Sequence, residues 1–150
     1  MNDLKDAIVA EAMNPGVITC PRSASLHAIA RMMAAHRVHC IVVFDERDQS
    51  DGRPFWGVVS GLDLAAALSE DTYSERTAGE IAASPIVQVS STETLDRAAQ
   101  LMTEHGSAHL VVVDRATQLP VGVLSTLDLA RFDAECHGAD ARALERSVSR

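Results

Sequence analysis

Gly57-Val58-Val59-Ser60-Gly61-Leu62-Asp63-Leu64-Ala65 and Gly122-Val123-Leu124-Ser125-Thr126-Leu127-Asp128-Leu129-Ala130 are one phrase written twice. The chain is a duplication. Each copy sets a glycine and aliphatic residues before a Ser-x-x-Asp and an apolar helical run, so each reads as a strand feeding the N-terminus of a helix. Such a junction can hold an anion and a ribose, because a helix start presents unpaired N–H groups and the positive end of its dipole.

Working outward, residues 26–45 align on 95–114 without a gap, pairing Leu26 with Leu95, Met33 with Met102, His36 with His105 and Asp45 with Asp114. Beyond them the copies differ in length, residues 46–54 against 115–120. The difference marks a hairpin loop, since loops absorb insertions and strands do not. Short extended runs are expected at 17–19 and 86–89, after Pro15 and Pro85, with Ser23 and Thr92 as N-caps of helices that carry Leu26, Ile29, Met33 and Leu95, Ala98, Met102 on one face. Strands follow at 40–44 and 109–113, their hairpin partners at 55–59 and 120–124, then second helices at 62–68 and 127–132. Each copy is β-α-β-β-α, an α+β unit that cannot cover its own apolar sheet face. The two copies are therefore expected to pack sheet to sheet about a pseudo-twofold axis. The expected division is 1–68 for the first repeat with an amphipathic lead-in helix at 4–13, 69–76 for a polar linker, 77–133 for the second repeat with its lead-in at 77–82, and 134–150 for a polar tail with a break at Gly138 and a short helix at 141–148.

Bulk properties narrow the function. A chain of 150 residues that is 47% hydrophobic supplies a core, while 3% aromatic content leaves no stacking surface for single-stranded nucleic acid. A net charge of -8 opposes phosphate backbones and anionic lipid, so neither nucleic acid nor membrane is an expected partner. No apolar run approaches the about 20 residues of a bilayer span, and residues 1–6 are no signal-peptide start, so a cytoplasmic location is expected. Cys20, Cys40 and Cys136 are an odd number without CxxC spacing, which argues for reduced thiols. No Gly-x-Ser-x-Gly elbow, phosphate loop or second carboxylate near Asp63 or Asp128 supports catalysis, so the chain is not expected to be an enzyme.

These residues carry a resemblance. In order and spacing, residues 8–133 resemble a tandem pair of cystathionine-β-synthase (CBS) domains: Ala12-Met13-Asn14-Pro15 opens the first copy, followed by the helix from Leu26, by Val38-His39-Cys40-Ile41-Val42 and by the Gly57 phrase, and the second copy repeats this from Ile81. The resemblance implies clefts between the copies that bind AMP, ADP, ATP or S-adenosylmethionine as a regulatory ligand, with no obligatory cofactor. It implies that Asp63 and Asp128 accept hydrogen bonds from ribose hydroxyls, that Ser60 and Ser125 sit beside the first phosphate, and that adenine meets the backbone around His39, Cys40, Ile41 and Ala108, His109, Leu110, with Thr19 and Gln88 in the first-strand position. A carboxylate offers several lone pairs to a vicinal diol, which suits that role. The chain departs from the family at Val42 and Val111, where proline is common, and at Ala82, where methionine is common.

Plainer readings stand beside the sharp ones. Ser-x-x-Asp is also a capping box, stabilising a helix start by ~1 kcal/mol with no ligand. Arg131, following Asp128 on the same helix, faces either a phosphate or solvent. His36 and His105 suit the negative ends of their helices. His36, His39, Cys40, His105 and His109 form a metal-like grouping whose spacing is not that of a structural site, and no metal is expected. The resulting expectation is a stand-alone regulatory module that binds an adenosine nucleotide, forms a homodimer through apolar helix faces and signals to an effector protein not contained in the chain. A ligand-free dimerisation module and a metal-responsive regulator are the alternatives.

Overall fold

The computed structural model describes residues 3–45, 55–83 and 86–137. The longer hairpin loop, Pro85 and residues 138–150, with the expected break and helix of the tail, lie outside them. In chain order the elements are β1 (Asn14–Pro15), β2 (Thr19–Cys20), α1 (Leu26–His36), β3 (Cys40–Asp45), β4 (Phe55–Ser60), α2 (Gly61–Leu68), α3 (Ala78–Ile81), β5 (Gln88–Ser90), α4 (Leu95–His105), β6 (His109–Val113), β7 (Pro120–Ser125) and α5 (Thr126–Cys136). Both copies have the expected β-α-β-β-α order.

Two compact units result, one of residues 17–86 and one of residues 1–16 with 87–150. In the first, β2 pairs parallel with β3 and β3 antiparallel with β4. In the second, β5 pairs parallel with β6, β6 antiparallel with β7, and β1 adds an antiparallel strand to β7. The middle strands read as continuous apolar runs because four consecutive residues of each are buried: Cys40, Ile41, Val42 and Val43 in β3, Leu110, Val111, Val112 and Val113 in β6. Ile41 and Val43 join Leu26, Ile29, Val59 and Leu64 in one core, while Leu110 and Val112 join Leu95, Ala98, Met102 and Leu124 in the other. Each fully buried Leu or Ile contributes roughly 1.5–3 kcal/mol over its exposed state.

The second lead-in, expected over 77–82, forms α3, whereas the first differs from the expectation in form, and both differ in placement. Where a helix was expected over 4–13 there is a single 3₁₀ turn, Val9–Glu11, and then the β1 strand. Backbone bonds tie this segment to the second copy: Val9 N–H donates to the Glu93 carbonyl at 2.8 Å and Ala10 N–H to that of Ser91 at 2.9 Å. The second copy's lead-in repeats the pattern on the first copy, with Ala78 N–H on Ala24 at 2.8 Å and Gly79 N–H on Arg22 at 2.9 Å. Each unit thus holds the body of one repeat and the lead-in of the other. Periodicity could not reveal this exchange, because it resides in main-chain bonds that leave no side-chain signature.

Helix ends explain a smaller correction. The N-caps are Ser25 and Thr94, whose oxygens accept from Ala28 N–H and Arg97 N–H at 3.1 Å in both cases, rather than Ser23 and Thr92. Thr92 instead donates its N–H to Ser90 Oγ at 3.3 Å in the turn before the helix. At the C-terminal ends the copies part. Both copies turn through the left-handed region, at Arg37 (φ 52°) and at Gly106 (φ 58°), and both send two N–H groups back to one carbonyl, Met33 or Met102. An L-residue there carries a steric penalty that glycine avoids. Arg37→Gly should therefore raise stability in urea by about 1 kcal/mol, and Gly106→Ala should lower it by a similar amount through strain alone, since a Cβ at Gly106 would meet nothing within 4 Å.

Candidate functional site

Both Ser-x-x-Asp phrases lie where a strand runs directly into a helix, β4 into α2 and β7 into α5. In the first copy Asp63 Oδ2 accepts from Ser60 N–H at 2.9 Å and from Ser60 Oγ at 2.8 Å, while Ser60 Oγ accepts from Asp63 N–H at 3.1 Å. The second copy repeats this with Ser125 and Asp128 at 2.8, 2.9 and 3.2 Å. Both are complete capping boxes. The first helical amide is also taken in each: Gly61 N–H donates to the His39 carbonyl at 2.8 Å and Thr126 N–H to that of Ala108 at 3.0 Å. The next amides, those of Leu62 and Leu127, belong to the first helical turn, whose N–H groups have no intrahelical carbonyl.

The strands bring the remaining candidates alongside. Thr19 and Gln88 occupy the same register, opposite Val42 and Val111, and both are exposed. Cys40 lies opposite Ser60 and His109 opposite Ser125 across the hairpins. Ile41 and Leu110 are wholly buried, so only their backbone could face a ligand. His39 and Ala108 are exposed, and their carbonyls are already engaged by the helix starts. Arg131 is exposed and makes no ion pair among the described residues. His36 and His105 are the last residues of α1 and α4, as expected.

One contact at the second junction joins distant segments of the chain. Asn14 Nδ2 donates to Asp128 Oδ1 and Oδ2, both at 3.1 Å, bridging the lead-in to the second copy's carboxylate. Its aligned counterpart is Ala83 in the second repeat, which faces Val58 of the first as Asn14 faces Val123 of the second. The signal was that alignment: an amide at one position against a methyl at the other. Among the described residues no group of three His, Cys, Asp or Glu side chains is placed to hold a metal ion.

Asp63 also acts on its neighbour. Burial, with the Asp63 charge adding to it, pushes the Cys40 thiol up to about 12, and burial pushes Cys20 up to about 11. A thiol so shifted stays protonated at neutral pH and is a poor metal ligand or nucleophile. Because the folded values lie above the unfolded value near 9, the unfolded chain releases these protons first as pH rises. Their stabilising contribution, intact below pH 9, is lost between about pH 9 and 11 for Cys20 and between about pH 9 and 12 for Cys40, at roughly 1.4 kcal/mol per pH unit for each thiol. Urea unfolding measured from pH 8 to 10.5 should show this decline, and Cys40→Ala should make it shallower; an unchanged slope would show that Cys40 does not take part.

The CBS domain family model matches residues 9–70 and 78–135. A CBS domain protein from Pyrobaculum aerophilum, complexed with AMP, is 31% identical, covering 82% of this chain and 90% of that one with a TM-score of 0.68. A CBS domain pair in complex with 5′-methylthioadenosine and S-adenosyl-L-methionine aligns at TM-score 0.73 and 21% identity over 86% of this chain and 97% of that one. Hypoxic Response Protein I, with two coordinated zinc ions, aligns at TM-score 0.63 and 22% identity over 83% of this chain and 98% of that one. No curated protein sequence matches the chain.

Proposed function

Because the chain belongs to the CBS domain family and is a tandem pair of its repeats, we propose that it is a non-catalytic regulatory module that binds an adenosine nucleotide at its Ser-x-x-Asp junctions. The observation that carries the proposal is the recurrence, at one register in both copies, of a carboxylate beside a helix start that follows directly on a strand. Ribose hydroxyls would donate to Asp63 or Asp128, and phosphate would meet Ser60 or Ser125 and the N–H groups of the helix start. AMP is the first ligand to test, since the relative from Pyrobaculum aerophilum was solved with it. The alternative ligand class is S-adenosylmethionine and its thioether relatives, on the strength of the more distant pair solved with two of them.

Regulation would follow from the difference in nucleotide affinity between two states of the module, read by an effector protein across an interface. Homodimerisation belongs to the same proposal. Leu62, 80% exposed, and Leu68, 53% exposed, put apolar surface on α2 that a second copy could cover. A cytoplasmic site of action fits a nucleotide ligand, and no helix of the described residues is long and apolar enough to cross a membrane.

The second reading, a dimerisation module without ligand, draws on the completeness of both capping boxes, which cap their helices without a ligand. Calorimetric titration of nucleotide-free protein with AMP, ADP, ATP and S-adenosylmethionine separates the two. Saturable micromolar binding, weakened at least a hundredfold in the Asp63→Ala, Asp128→Ala double variant, supports the sensor. Silence from all of them, with light scattering reporting a stable dimer, favours the dimerisation module.

A further inference from the structure

The two junctions share sequence, register and capping geometry, yet their carboxylates are not equally available. Asp128 is only 4% exposed, the one buried charged residue of the described chain. Its Oδ2 already accepts from Ser125 N–H, Ser125 Oγ and Asn14 Nδ2, and its Oδ1 accepts from Asn14 Nδ2. Asp63 is half-buried, its Oδ2 takes the two box hydrogen bonds, and its Oδ1 has no partner among the described residues. A vicinal diol needs two acceptor positions on one accessible carboxylate face. Asp63 offers that face and Asp128 does not.

The cause is a single side chain held by backbone pairing. Asn14 sits opposite Val123 in the β1–β7 ladder, and Gly16 N–H fixes the end of that ladder on the Val121 carbonyl at 2.7 Å. The approach is close enough that a Cβ at Gly122 would lie 2.6 Å from the Asn14 carbonyl oxygen and 2.8 Å from Met13 Sδ. The first copy has the same bridge, Ala83 opposite Val58, with N–H to carbonyl distances of 2.9 and 3.1 Å in the two directions. Ala83 presents a methyl group where Asn14 presents an amide, and a methyl group cannot engage Asp63.

We propose that Asn14 is a specificity-determining residue that closes the second junction by occupying Asp128, so that nucleotide binds only at the Asp63 junction, one molecule per chain. This rests on the nucleotide reading above and adds which copy carries it and why. Displacing Asn14 would break both of its hydrogen bonds and uncover a buried carboxylate, so the second junction competes poorly for ligand.

The test exchanges the two side chains. AMP is titrated calorimetrically into nucleotide-free wild type, Ala83→Asn, Asn14→Ala and the double exchange, with circular dichroism and thermal melts confirming that each variant is folded. Wild type should bind one AMP per chain. Ala83→Asn, which sets an amide against Asp63, should weaken binding at least tenfold. Asn14→Ala should raise the stoichiometry to two, and the double exchange should keep one AMP per chain, now abolished by Asp128→Ala. Wild-type stoichiometry of two, or folded Ala83→Asn protein with wild-type affinity, would overturn the role of Asn14 while leaving the nucleotide reading intact. Wild-type protein that binds neither AMP nor any of the other adenosine ligands would overturn the nucleotide reading itself, and this inference with it.

Discussion

A carboxylate that reaches back across one turn of helix to its own N-cap serine organises both halves of this molecule. Ser60 and Ser125 end a strand and begin a helix at the same residue, so their N–H groups leave the strand ladder at the point where no helical carbonyl is available. Asp63 and Asp128 accept those N–H groups, and the serine hydroxyls close the reciprocal bond. With the His39 and Ala108 carbonyls taking the next amide, the strand-to-helix turn has no slack. The hairpin, the helix packed on it and the candidate ligand groups are all oriented from this one turn.

That economy creates a conflict within the site. The oxygen that caps the helix belongs to the group proposed to meet the ribose, so a ligand must be added to the capping arrangement without breaking it. Asp63 meets the requirement by placing both box bonds on Oδ2 and leaving Oδ1 for another donor. Asp128 has its remaining capacity used by an amide of the lead-in. The same phrase in the sequence therefore has two chemical states, set by a residue far away in the chain.

The order of elements and both helix starts at Ser60 and Ser125 were legible because they depend on local pattern: the apolar runs of β3 and β6, the capping spacing, and the length change confined to a loop. Ser23 and Thr92 were mistaken for caps because hydroxyl residues cluster before both helices, and only backbone geometry shows that Ser25 and Thr94 hold the helix starts. The lead-in was read as a helix because residues 4–13 mix apolar and charged positions at helical spacing. Its pairing with the second copy holds it instead in a 3₁₀ turn and a short strand. Asn14 was quoted in the sequence reading but given no role, since its partner lies in the other repeat. A contact between distant segments is invisible until the fold brings them together.

The exchange of lead-ins also bears on how such a chain arises. A solitary repeat of this design would carry a lead-in that finds its backbone partners only in another copy, so its natural state would be a dimer with swapped segments. Duplicating and joining the coding sequence turns that dimer into one chain without redesigning an interface. It also frees the two lead-ins to diverge, because each now serves a different body. Asn14 and Ala83 are the product of that freedom: in a symmetric dimer of identical chains the two junctions could not have differed.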